Sequence, residues 1–207
     1  MSRRQQTVND CKVAVPEGVR GDWAVSRFTI AKETPGALYY ALHGRPIDPG
    51  TYTRLTRGGN GRENVIMSDT PAEVRDHWDI LYRLRSAGPD TRVLIHGLGL
   101  GMVLGVGLHN CNIAHVDVLE IAPEVIRLVG PTYTHDPRVT IHEGDAFTYQ
   151  WPKGQRWNIV WHDIWSTLCT DNLEEMGKLH RRFGRRCDWQ GSWGKDFLLA
   201  ERRRNSW

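Results

Sequence analysis

The chain has 207 residues, of which 40% are hydrophobic and 25% charged, with a formal net charge of +3. That balance excludes wholesale disorder and suits one α/β domain with a small appendage. No run approaches the roughly 18 consecutive apolar residues that cross a bilayer, and the opening MSRRQQTVND has no apolar core of a secretory signal, so a cytoplasmic protein is expected.

Between Asp22 and Met67 short apolar runs (WAVSRFTIA, ALYYALHG, TYTRLTRG and NVIM) alternate with Thr34-Pro35-Gly36, Asp48-Pro49-Gly50 and Gly58-Gly59-Asn60-Gly61. Those combinations set turn dihedrals, while Val25, Phe28, Tyr39, Tyr40, Tyr52 and Thr53 favour pleated structure. An antiparallel meander of three or four strands is expected, too small to bury a core alone and therefore packed against the C-terminal part of the chain. Thr70-Pro71-Ala72-Glu73 is a helix start, with Thr70 as N-cap. Val74, Trp78, Leu81, Tyr82 and Leu84 then predict one amphipathic helix to about Arg85, ended by Gly88-Pro89. Ser68-Asp69-Thr70 is explained by capping, although it also lies where a ligand's end would be reached.

From Arg92 the pattern alternates. RVLIHG, HVDVLEI, RVTIHEG and WNIVWHD read as strands, and MVLGVGLHN, PEVIRLVG and NLEEMGKLHRRF as helices. Gly105 and Gly107 lower the propensity of the first of these helices by about 1 kcal/mol each. Such alternation implies βαβ units in a parallel sheet. CDWQGSWGKDFLLAERRR holds a fifth strand or a last helix, and too little chain remains for the further strands of a full doubly wound sheet. The division expected is 1–67, tail and antiparallel layer, and 68–207, the parallel-sheet domain.

Four cysteines (Cys11, Cys111, Cys169, Cys187) without a CxxC pair give no disulfide framework or zinc site. Cys111, ahead of an apolar run, reads as a buried thiol. Nine histidines form no HxH or HExxH spacing, so no metal site is expected. Residues 178–207 hold nine Lys or Arg against three acidic residues, a local +6 that leaves −3 for the rest. Such an end attracts phosphates or is a solvated helix face with a frayed tail. Trp189 and Trp193, interleaved with Arg185, Arg186 and Lys195, either stack on bases or seal the bottom of a short sheet.

The chemistry concentrates at strand ends. In VLIHGLGLG, Gly97, Gly99 and Gly101 permit positive φ and close approach of the backbone to a ligand, and the following helix start offers amides to an anion. Glu120, about 20 residues on, is placed to accept from both hydroxyls of a ribose, or caps the helix before Pro123. Asp145, in EGDAF, accepts from an exocyclic amine such as that of adenine, or starts a turn; Phe147 makes the pocket apolar. Asp163 projects from the end of WNIVWHD, with Trp165 as a flat wall, to position a nucleophile or take its proton. His162, on the alternate face, reads as buried structure.

VLIHGLGLG, VDVLEIAPEVI, RVTIHEGDAF and WNIVWHDIW, in this order, resemble successive motifs of class I S-adenosylmethionine-dependent methyltransferases, and within them the spermidine synthase-like branch. The resemblance spans about residues 64–185. It implies a Rossmann-like methyltransferase fold, shortened at the C-terminus, behind a small antiparallel β layer, with S-adenosylmethionine as cofactor. It further implies that Gly97, Gly99 and Gly101 flank the methionine part, Glu120 the ribose and Asp145 the adenine, with Ile121 and Ala146 also at the cofactor, and that Asp163 faces the acceptor. Two departures disfavour polyamine synthesis. Leu100 stands where aminopropyltransferases carry an acid in the glycine loop, and Ile164-Trp165-Ser166-Thr167 lacks their second acid and proline. The lack of an NPPY-like or Pro-Cys motif disfavours the familiar DNA methyltransferases, and GxGxG spacing disfavours a dinucleotide oxidoreductase. The expected activity is methyl transfer, with aminopropyl transfer or non-catalytic cofactor binding as alternatives. The partners expected are a small-molecule acceptor, or nucleic acid through the basic C-terminal segment, with a homodimer covering the exposed sheet edge and no membrane.

Overall fold

The computed structural model describes residues 11–31, 48–59 and 61–205. Two sheets form. The first is antiparallel, in the order β1 (Gly18–Arg20), β2 (Trp23–Ile30), β3 (Gly50–Arg57), β4 (Val65–Ser68). Three of the four anticipated apolar runs are its last three strands; the fourth, ALYYALHG, lies outside the described residues, and β1 had no apolar signal. Pairing of β2 with β3 runs from Trp23↔Arg57 to Ile30↔Gly50. Val25 faces Leu55 across this pair, and both are buried.

The second sheet is parallel, in the order β7 (Val139–Glu143), β6 (Ile113–Glu120), β5 (Thr91–His96), β8 (Trp157–His162), β9 (Cys187–Ser192). Connections through α3 (Met102–Leu108) and α4 (Pro123–Val129) step from β5 outward to β7. The chain then returns across the sheet to β8, and α5 (Asn172–Phe183) leads to β9. The strand order thus reverses between β5 and β8, and in open α/β sheets the ligand crevice opens at the carboxyl ends beside such a reversal. Both alternatives for the C-terminal segment occur, β9 and then α6 (Lys195–Arg204). The fold is α/β with a Rossmann-like parallel sheet and a separate antiparallel layer.

One core joins the two sheets. Val25, Leu55 and Met67 of the antiparallel layer belong to the same buried cluster as Val93, Ile95 and Val116 of the parallel sheet. Leu94 and Val160 point the other way, onto Leu179 and Phe183 of α5. Alternation along β5 thus feeds two cores on opposite faces.

Two expectations fail here. The helix expected from Pro71 to Arg85 is two, α1 (Pro71–Asp76) and α2 (Trp78–Arg85), broken at His77, whose φ of −100° and ψ of 9° leave the helical region. The break turns α2 so that Ile80, Leu81 and Leu84 are buried while Trp78 and Tyr82 stand 49% and 61% exposed. Thr70 does cap α1, accepting from the Glu73 amide. Cys111 is exposed, not buried. It lies in the turn before β6, where the Asn112 amide donates to the Asn110 side chain, and Ile113 takes the buried place.

Candidate functional site

A cavity of about 490 Å³ opens over the carboxyl ends of the parallel strands. Gly97, Gly99, Glu120, Ile121, Asp145, Ala146, Asp163 and Trp165, eight of the nine anticipated site residues, line it. The ladder continues one step past the strands and ties these tips together. The amide of Gly97 donates to Leu119, that of Gly144 to Glu120 and that of Asp163 to His96, at 2.8–2.9 Å.

Positive φ occurs at all three loop glycines, +91° at Gly97, +50° at Gly99 and +74° at Gly101. What crowds their α-carbons, however, is the protein. A Cβ on Gly97 would lie 2.0 Å from the Asp163 carbonyl oxygen, on Gly99 2.5 Å from Met67 Sδ, and on Gly101 2.2 Å from the Tyr133 ring. Gly101 is the residue that does not line the cavity. The loop's polar groups are also taken up internally. The Leu100 amide donates to Met67 Sδ at 3.4 Å, and its carbonyl accepts from the Tyr133 hydroxyl at 3.0 Å.

Glu120 is 7% exposed. Its carboxylate accepts from the Leu98 amide at 2.7 Å through one oxygen and from the Ala122 amide at 2.9 Å through the other. Burial pushes its pKa up, and these amides pull it back down. It joins the glycine loop to the start of α4, with the Gly99 and Ile121 amides also directed at it. Asp145 starts a turn, its carboxylate accepting from the Phe147 amide at 2.8 Å and the Thr148 hydroxyl at 3.4 Å.

Asp163 holds a partner that nothing in the sequence announced. Its carboxylate lies 2.7 Å from His77 Nε2, and His77 Nδ1 donates to the Glu73 carbonyl at 2.9 Å. A carbonyl only accepts, so Nδ1 carries a proton, and a carboxylate draws a second onto Nε2. Burial opposes charge on His77, but Asp163 and Glu73 together outweigh it and lift the pKa to about 9. The pair is therefore imidazolium and carboxylate, and a proton-accepting role for Asp163 has to compete with His77. Trp193 stacks on His77, rings 6.3 Å apart and 18° from parallel. Trp193 thus sits at the carboxyl end of β9, not under the sheet, while Trp189 packs on the core with the Arg83 guanidinium 4.0 Å above its ring. Trp165 stands at the cavity's edge, its indole N–H donated to Glu175 at 2.7 Å.

The antiparallel layer supplies the facing wall through Trp23, Leu55, Arg57 and Met67. Sequence reasoning missed these residues at the site, together with Glu73 and His77, because their partners lie far along the chain; His77 and Asp163 are 86 positions apart. On the far side of the sheet, His162 is fully buried as expected. Its Nδ1 accepts from His96 Nδ1 at 2.7 Å, and its Nε2 donates to the Gln190 side-chain carbonyl at 3.2 Å. Burial holds His162 down to about 3. Among the described residues no group of three or more His, Cys, Asp or Glu is placed to hold a metal ion, and no helix is long and apolar enough to cross a membrane.

A parallel sheet whose strand order reverses beside a cavity, with an acid at one strand tip and a second acid across the reversal, is an arrangement in which open α/β sheets bind ligands. No family model and no curated protein matches the chain. Among solved structures, it is similar to the methyltransferase CcbJ of Streptomyces caelestis, at 19% identity and a TM-score of 0.41 over 55% of this chain and 44% of that one. It is also similar to the N-methyltransferase NodS of Bradyrhizobium japonicum, solved with S-adenosyl-L-homocysteine, at 13% identity and a TM-score of 0.42 over 55% and 56%. The 23S rRNA methyltransferase ErmE aligns at 22% identity and a TM-score of 0.36 over 44% and 36%. The chain spans about half, or less, of the length of these proteins.

Proposed function

We propose that the cavity binds S-adenosylmethionine and that the chain transfers its methyl group to a small-molecule acceptor. Glu120 carries this reading: a buried carboxylate at the tip of the second sheet strand, lining the cavity, suits a ribose diol. Asp145, Ala146 and Phe147 would hold the adenine, and Gly97 and Gly99 the methionyl end. The assignment to the spermidine synthase-like branch rests on the strand motifs and on the antiparallel layer ahead of the parallel sheet. Leu100, fully buried, occupies the place of that branch's loop acid, which favours methyl over aminopropyl transfer.

The cofactor supplies a methyl group already activated on a sulfonium, so the protein's work is alignment and exclusion of water. Asp163, hydrogen-bonded to His77, accepts a hydrogen bond from the acceptor's N–H or O–H and so orients its lone pair. Trp165 walls the acceptor side.

Calorimetric titration with S-adenosylmethionine tests the reading. The parent chain is expected to bind, and Glu120→Ala to weaken binding by about 1.5–3 kcal/mol, the range for hydrogen bonds to a charged group. Ile121→Arg is the companion variant, because Ile121 is 67% exposed and lines the cavity; it fills the space without touching the core. Binding absent in the parent, or unchanged from the parent in both variants, overturns the reading.

A further inference from the structure

Five carboxylates line the cavity over the strand ends, those of Glu73, Glu120, Asp145, Asp163 and Glu175, with a single cation among the described residues, Arg57. The protonated His77 is buried and bonded to Asp163. Lys195 lies beyond Trp193, in a second cavity of about 550 Å³ against β9, with Nζ 3.0 Å from His180 Nδ1; Trp193 lines both cavities.

The backbone of the glycine loop has nothing left to give an anion. The Gly97 amide donates to the Leu119 carbonyl and that of Gly101 to the Leu98 carbonyl. The Leu98 amide donates to Glu120 and that of Leu100 to Met67 Sδ, while the Gly99 amide is directed at Glu120. Met102, Val103 and Leu104, which start the next helix, are buried and do not line the cavity. The amides expected to receive an anion are thus committed within the fold. A negatively charged part of a ligand has to be met by a side chain.

Arg57 is placed to do so. Leu55 and Arg57, two residues apart in the regular pairing of β3 with β2, share a face. Leu55 stands opposite Met67, whose sulfur receives the Leu100 amide, so this part of the antiparallel layer lies over the glycine loop. Arg57 Nε donates to Asp22 at 3.0 Å, and the guanidinium lies 5.2 Å from the centre of the Trp23 ring. Its two terminal amino groups make no hydrogen bond among the described residues. They form the fork that meets a carboxylate through two parallel hydrogen bonds. The side chains of Arg57 and Asp22 are 59% and 52% exposed, so water screens the pair and the cation stays available.

We infer that Arg57 is the anion anchor of this cavity: it holds the carboxylate of the cofactor's methionyl end and so selects S-adenosylmethionine over its decarboxylated form. The inference rests on the proposed cofactor reading and deepens it. Without Arg57 that carboxylate would enter a space lined only by like charge. Aminopropyl transfer, whose donor lacks the carboxylate, then meets a second obstacle beside Leu100.

Calorimetric titration of the full chain with the two compounds tests it. The decarboxylated compound carries one more net positive charge, so five carboxylates alone would favour it. The parent is nevertheless expected to bind S-adenosylmethionine at least about tenfold more tightly. Arg57→Met is expected to remove the preference by weakening S-adenosylmethionine, with the decarboxylated compound's affinity held within about twofold, and Arg57→Lys to keep part of it. Retained binding of the decarboxylated compound also reports that each variant is folded. Equal binding of the two compounds by the parent, a preference that survives Arg57→Met, or equal weakening of both compounds in Arg57→Met and Arg57→Lys overturns the role of Arg57 and leaves the cofactor reading in place. Binding of neither compound by the parent overturns both.

Discussion

Gly97 shows how a residue can be read rightly for an incomplete reason. Glycine spacing after a strand marks a turn with positive φ, and the structure has it, yet the atom that leaves no room for a side chain is the Asp163 carbonyl oxygen. The constraint couples the glycine loop to the tip of β8, so Gly97→Ala strains its own backbone and displaces Asp163. Left-handed φ costs an alanine about 1–2 kcal/mol, and the backbone clash adds to it. The expected loss is roughly 3 kcal/mol or more in urea unfolding. A loss under about 1 kcal/mol would show that the β8 tip yields freely. Glu120, Asp145 and Asp163 were legible because an acid at a strand end has few places to point. His77 was not: its role depends on a carboxylate brought to it by the whole sheet.

At the scale of elements, histidines couple strands and helices with opposite responses to acid. His77 ties the α1–α2 junction to β8, and its pKa is raised to about 9 from an ordinary 6.5. Its contribution to stability is complete below about pH 6.5 and fades as pH rises through 9. His162, between β5 and β9, is held down to about 3, and His180, on α5, to about 4, in both cases by burial. The unfolded chain takes up protons there first, so stability falls as pH drops below about 6.5. Thermal unfolding followed across pH should therefore peak near neutrality, and His77→Gln should lower the peak while flattening the basic limb. An unchanged basic limb would deny the His77–Asp163 ion pair. The helix break at His77 escaped the sequence because Val74, Leu81 and Leu84 keep helical spacing across it. The strands from β5 to β8 were legible within one or two residues because buried parallel strands are continuous apolar runs bounded by glycine or turn residues.

For the whole molecule, the shared core decides what can be separated. Val25, Leu55 and Met67 pack in one cluster with Val93 and Ile95, so a chain starting at Ser68 leaves that surface of the parallel sheet bare. Such a truncation should lose a sharp unfolding transition and bind hydrophobic dyes; a cooperative transition at the parent's midpoint would contradict a common core. The alternating strand and helix segments made the parallel sheet readable, and the turn residues made the antiparallel layer readable. The packing of one against the other was foreseen only as a need for cover. The contribution of the layer's Trp23 and Met67 to the cavity wall was not foreseen, because no local pattern records which surface a sheet will face.

Trp193 belongs to two rooms at once, its indole forming part of the partition. A partition has two sides, so a guest in either room changes the surroundings of the same fluorophore. With the other eight tryptophans replaced by phenylalanine where the fold tolerates it, emission from this one ring would report occupancy on both sides. A tilt of the ring that enlarges one room must narrow its neighbour.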